Sequence, residues 1–209
     1  MNDTKTEFDD LTLPHETGKK KIFYGWWIVY ASTILSFFAG GAFLYGFTTF
    51  FNPIRSAFGW SAAVTSIAFM LQRLELGIMG PIAGILVDRV GPRKLMIFGW
   101  IMIGLGYCSM SRINSLWSFY VTSLMIATGM SFGEYLVVNT TIAQWFTRLR
   151  SRALTVVFAG FGACGVIAPF LAMSINRYGW RDSLTIVGIT MWIIGIPLCM
   201  VMRHKPSQY

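Results

Sequence analysis

The stretch Gly84-Ile-Leu-Val-Asp88-Arg89-Val-Gly91-Pro92-Arg93-Lys94 decides the fold, because it is a charged turn set between two long apolar runs. Asp88 falls at the C-terminal end of the first run, where the helix macrodipole disfavours a carboxylate. It therefore needs a nearby cation or the N-terminus of another helix. Gly84, one turn earlier, lets a neighbouring helix come close enough to supply one. Gly91 permits the turn, and Pro92 opens the next helix where its missing N–H costs nothing. Topology alone would require neither Asp88 nor the glycines. Gly84, Asp88, Arg89, Gly91, Arg93 and Lys94 thus read as a gate, a charge latch that shuts the cytoplasmic side in one state and breaks in the other.

The composition around this turn is that of a membrane protein. Of 209 residues, 55% are hydrophobic and 12% charged, with a mean hydropathy of +0.57; a soluble domain averages about 25% charged residues. The formal net charge of +8 sits in short clusters between apolar runs, which is a topology signal. It is not one basic face, so no nucleic-acid partner is expected. Cys108, Cys164 and Cys199 lie inside apolar segments with no metal-like spacing, and read as soft packing residues. No metal or cofactor is expected. The first apolar run is too long for a signal-peptide core and stays in the protein.

A bilayer core needs about 20 apolar residues of helix. Uncharged stretches predict spans near 26–51, 61–87, 95–111, 116–144, 153–175 and 183–202, with turns at Asn52-Pro53, Gly91-Pro92 and Gly179. Six spans put both termini on one side. Lys5, Lys19–Lys21, Arg89, Arg93, Lys94, Arg148, Arg150, Arg152, Arg203 and Lys205 fall on that side, against Arg55, Arg112, Arg177 and Arg181 on the other. Both termini are therefore expected in the cytoplasm, the protein sitting in the plasma or bacterial inner membrane. The expected divisions are a disordered tail at 1–21 that is rich in acids, a transmembrane domain at 22–203 and a stub at 204–209.

Sliding the chain by 88 residues lays Gly77 on Gly165, Pro81 on Pro169, Arg89 on Arg177, Gly91 on Gly179 and Arg93 on Arg181. One of these loops is expected inside and the other outside, so two three-helix units must be inverted relative to each other. The fold class that follows is all-α, six transmembrane helices as two inverted repeats.

The loop at 84–94 resembles the signature of the major facilitator superfamily, whose halves are nested inverted repeats of this kind. Tyr24-Gly25-Trp26-Trp27, Trp145-Phe146-Thr147-Arg148 with Arg150, Ala153 and Ala159-Gly160, and Gly179-Trp180-Arg181 are similar to its oxalate/formate antiporter and monocarboxylate transporter branch. Leu149, Arg152 and Thr155 depart from that pattern, and the first span lacks a lysine found in some animal members. The resemblance implies the N-terminal six-helix half of a transporter that moves small organic anions by proton symport or exchange. Its implied partners are lipid, protons, the anion, and a C-terminal six-helix half or a second copy. One half alone leaves a polar face in lipid, so no transport is expected without the other.

Arg73, Glu75 and Glu134 are the strong charges deep in spans, and each costs about 2.5–3.5 kcal/mol if unpartnered. Arg73 and Glu75 are about 200° apart around a helix, so they cannot share a face. Arg73 and Glu134 differ in depth by about 9 Å at 1.5 Å per residue. Arg73 reads as a planar donor for a substrate carboxylate, and Glu75 or Glu134 as a protonation site. The alternative is that the three merely lock helices together. Tyr45, Asn139 and Gln144 are further candidates for the substrate-binding lining. The Gly80/Gly84 and Gly129/Gly133 pairs suit close helix packing.

An enzyme is not expected. An intramembrane protease needs Ser/His or metal constellations, yet His15 and His204 both lie outside the spans. The remaining alternative is a non-transporting six-helix sensor or assembly partner.

Overall fold

The computed structural model describes residues 24–146 and 149–202. The predicted tail, Arg148 and the predicted stub lie outside these residues. The first helical segment is α1 (Tyr24–Gly40), a π-helical turn (Gly41–Gly46) and α2 (Phe47–Phe58) in unbroken succession. There follow α3 (Ala62–Val90), α4 (Pro92–Met110), α5 (Leu116–Gly133) and α6 (Tyr135–Trp145). The last are α7 (Arg150–Ala163), a 3₁₀ turn (Cys164–Val166) and α8 (Ile167–Val201). Four stretches, Tyr24–Phe58, Ala62–Val90, Leu116–Trp145 and Arg150–Val201, are long and apolar enough to cross a membrane. The chain is an all-helical integral membrane protein.

Three expectations need correction. The first segment does not turn at Asn52-Pro53. Pro53 is carried inside α2, and the stop comes at Gly59, whose φ of 66° lets its N–H reach back to the Arg55 carbonyl. The stretch 116–144 is not one helix, because Glu134 has φ −138° and ψ −89° and separates α5 from α6. Helical geometry also runs much closer to Gly179 than the predicted gap from 176 to 182, with that residue alone non-helical in α8 at φ 81° and ψ 165°.

Gly91 between α3 and α4 has φ 89° and ψ 149°. It and Gly179, 88 residues on, thus share a backbone region that is essentially closed to any residue with a Cβ. Straight, the 52 residues of Arg150–Val201 would extend about 78 Å at 1.5 Å per residue, far beyond a bilayer core. Gly179 folds that length back.

Contacts gather two ends. At one, the Tyr24 hydroxyl donates to the Val201 carbonyl at 2.8 Å, Tyr24 packs on Trp145 and Trp26 on Phe146. At the other, Arg181 donates to the Ile113 carbonyl at 3.2 Å, Tyr120 donates to the Val64 carbonyl, and Phe58 meets Trp60 and Trp180. Between these ends α4 packs on α5 and α8, α1 on α7, and α3 on α5. The core is apolar, with Ile28, Leu35, Trp100, Ile103 and Leu184 fully buried.

Candidate functional site

Two departures from regular helix frame the site. In the π turn the backbone bonds i to i+5, a form that occurs in short pieces inside α-helices and recurs at functional sites. Here the Tyr107 hydroxyl of α4 donates to the Ala42 carbonyl at 2.8 Å and holds the turn from behind. The second departure is the break at Glu134, where the Trp100 indole N–H donates to the Gly133 carbonyl at 3.1 Å. Each irregularity has a buried donor that takes up a carbonyl, as an apolar interior requires.

Between them lies a cavity of about 560 Å³, lined by Phe43 and Leu44 from the π turn, Arg73, Leu76 and Gly77 from α3, Met130, Ser131, Glu134 and Leu136 around the break, and Phe161 from α7. Arg73 and Glu134 therefore share one cavity, despite their difference in predicted depth. Glu134 is buried and accepts a hydrogen bond from the Ser36 hydroxyl of α1. The Arg73 guanidinium lies 4.7 Å from the centre of the Phe69 ring and 5.7 Å from that of Phe43. Each such contact is worth about 0.5–2 kcal/mol depending on desolvation, so the pair offsets much of the cost of a charge in a span. Among the described residues Arg73 makes no hydrogen bond or ion pair.

Glu75 is not among the residues that line the cavity. It is buried, accepts from the Ser131 hydroxyl at 3.3 Å, and leaves its other oxygen unpartnered. Ser131 joins the two regions, since it also lines the cavity. Asn139 lines a small pocket with Ser36 and Glu134, behind the main cavity. Tyr45 and Gln144 are not brought to either; the Gln144 side-chain oxygen is buried without a partner.

The residues expected to form a gate lie at the C-terminal end of α3 and the start of α4. Asp88, Arg89, Arg93 and Lys94 are exposed, and Gly84 would meet nothing within 4 Å if it carried a Cβ. On that side of α3 no helix of the described residues closes on Gly84. Pro92 stands at the first turn of α4, as expected.

Ser36, Ser131, Phe43 and Phe69 were not legible as site residues. Serine and phenylalanine are ordinary in apolar spans, and only the fold sets them against the charges. Among the described residues no group of three or more His, Cys, Asp or Glu is placed to hold a metal ion.

The profile of the Major Facilitator Superfamily matches residues 23–208. The oxalate:formate antiporter of Oxalobacter formigenes is 27% identical over 78% of this chain and 39% of its own length. Monocarboxylate transporter 2 of Mus musculus is 31% identical over 88% of this chain and 38% of its own, and monocarboxylate transporter 1 of Bos taurus is 31% identical over 78% and 33%. The chain thus spans well under half the length of these curated relatives. An all-helical membrane architecture, the glycine turn at 84–94 and a profile match over nearly the whole sequence lead to one conclusion: the chain belongs to the Major Facilitator Superfamily.

Proposed function

We propose that this chain forms the N-terminal six-helix half of a secondary transporter for small organic anions, mono- or dicarboxylates, coupled to protons or to exchange and working by alternating access. The observation that carries this reading is the cavity in which Arg73 and Glu134 stand together without pairing. A guanidinium with free N–H groups takes a carboxylate as a planar fork, and a carboxylate in low dielectric is suited to pick up and release a proton. The relatives' names, an oxalate:formate antiporter and monocarboxylate transporters, support the substrate class. Glu75 is a second candidate for the coupling proton, and Asn139, Tyr45 and Gln144 complete the lining as the conformation changes. The other half of the transporter is a C-terminal six-helix segment or a second copy.

Support for six spans comes from the two ends that the contacts gather, since Tyr24, Trp145 and Val201 meet at one of them. The matched dihedrals of Gly91 and Gly179 support the inverted repeat. In this arrangement the exposed Asp88 and open Gly84 are the latch, whose counterpart the other half supplies.

The test is uptake of labelled oxalate, formate and lactate by the complete protein in vesicles. Arg73→Leu should abolish it at normal membrane abundance, and normal uptake would end the reading of Arg73 as the anion donor. Glu134→Gln should leave anion exchange but remove the response to an imposed proton gradient. Reporter fusions at Lys94 should report cytoplasm and at Arg181 the outside; the same side for both would remove the inverted repeat.

A further inference from the structure

We propose that Phe43 and Phe69 are positioning residues for Arg73, holding its guanidinium by ring contact so that all of its N–H donors stay free for an anion. This inference rests on the reading of Arg73 as the anion donor.

An arginine inside a membrane domain is ordinarily held by a carboxylate or by carbonyls, and either acceptor takes up the N–H groups that a substrate would use. Arg73 is held differently. Its guanidinium carbon lies 4.7 Å from the Phe69 ring centre and 5.7 Å from that of Phe43, within the range at which a ring quadrupole attracts a cation. The carboxylate that lines the cavity with it, that of Glu134, accepts a hydrogen bond from Ser36.

The two rings come from different elements, and each is itself placed. Phe69 is one turn before Arg73 on α3, the spacing at which helix side chains meet. Its ring packs, tilted by 38° and with centres 5.1 Å apart, on Phe47, which packs in turn on Phe51. Phe43 is delivered by the π turn, which Tyr107 pins through the Ala42 carbonyl. The guanidinium therefore sits where a wall on α3 meets the irregular turn of the first segment. Rings attract it without competing for a hydrogen bond, so an arriving carboxylate has no internal acceptor to displace.

The experiment is uptake kinetics of labelled oxalate, formate and lactate by the complete protein in proteoliposomes, with membrane abundance measured alongside. Phe69→Leu should raise KM by about tenfold, the order expected for loss of one such ring contact, with the maximal rate within about twofold. Phe69→Trp, which keeps a stronger ring face, should restore KM. In an Arg73→Leu background, where uptake is lost, equilibrium binding of labelled oxalate to the purified complete protein should fall no further on Phe69→Leu, since the two act as one unit. If Phe69→Leu does not reach the membrane, Phe43→Leu takes its place with the same expected split. An unchanged KM in Phe69→Leu or Phe43→Leu, where Arg73→Leu is inactive, would overturn the positioning role and leave Arg73 as the donor. An equal rise of KM in Phe69→Leu and Phe69→Trp would also overturn it, as a loss of packing rather than of ring contact. Normal uptake by Arg73→Leu would overturn both readings together.

Discussion

Gly129 and Gly133 on α5 have the same four-residue spacing as Gly80 and Gly84 on α3, yet the structure uses the two pairs in opposite ways. The α5 pair is sealed against α4. A Cβ on Gly129 would stand 2.7 Å from the Ile103 nitrogen, and one on the facing Gly99 would stand 2.2 Å from the Gly133 nitrogen. Backbone here meets backbone. On α3 a Cβ at Gly80 would meet only the Leu136 side chain at 3.2 Å, and one at Gly84 nothing within 4 Å. The first pair cements this chain, whereas the second leaves a shallow place on its surface beside Asp88. Spacing alone reports that two backbones are able to approach; it does not say whether the second backbone belongs to the same fold.

The difference sets an order of expected effects. Gly99→Leu should be the most damaging, because its side chain would have to displace α5 backbone. Overpacking of ordinary side chains already costs about 1–3 kcal/mol, so this variant should be nearly absent from the membrane in a quantitative immunoblot. Gly179→Ala comes next. Its φ of 81° and ψ of 165° should cost about 1–3 kcal/mol with any Cβ, read as a lower midpoint in a thermal melt of the detergent-solubilised protein; an unchanged midpoint would show that the turn between the two arms of α8 adopts other dihedrals.

On the α3 side the expected losses of stability are small and the functional ones large. Gly84→Leu should leave stability within about 0.5 kcal/mol of the parent's, as for a surface change away from packing, and abundance unchanged, but should stop uptake by the complete protein. Loss of abundance instead would place a helix of this chain against Gly84. Asp88→Asn should have the least effect on folding, since Asp88 is exposed and has no ion-pair partner among the described residues. Uptake should nevertheless fall, and wild-type rates would reduce the loop at 84–94 to a topology signal.

Much of this was readable from short-range pattern. Gly91 and Pro92 announce a stop and a start because one tolerates a positive φ and the other lacks an N–H, and α4 begins at Pro92. The charge-free runs place the helices because lipid excludes charge over any length of sequence. What the pattern could not show depends on distant partners. Nothing near Glu134 in sequence marks a break, since the Gly133 carbonyl it frees is taken up by Trp100, 33 residues away. Pro53 looked like a turn because proline is a local disruptor, but a helix able to lose one bond carries it to Phe58. The depth of Arg73 and Glu134 was counted along straight helices. Long side chains and helix tilt are able to close such a difference, and the two residues line one cavity.

The π turn at Gly41–Gly46 also makes the length of the first segment a matter of phase. A π turn holds one residue more than the α-helix it interrupts, so a single-residue deletion there would repair the helix without leaving a gap. Because the wider turn takes up the extra residue, the helix on either side of the deletion would keep nearly the same phase. Ser36 and Gly40 could still face Glu134 and Phe161 while Phe50 and Ile54 kept their buried places; what would go is the bulge that brings Ala42 to Tyr107 and Phe43 to Arg73. Among variants of this chain, an in-frame loss of one codon between 41 and 46 should thus reach the membrane and act on uptake, whereas the same loss within the regular helix at Tyr24–Gly40 would turn one flank by about 100° and spoil its packing.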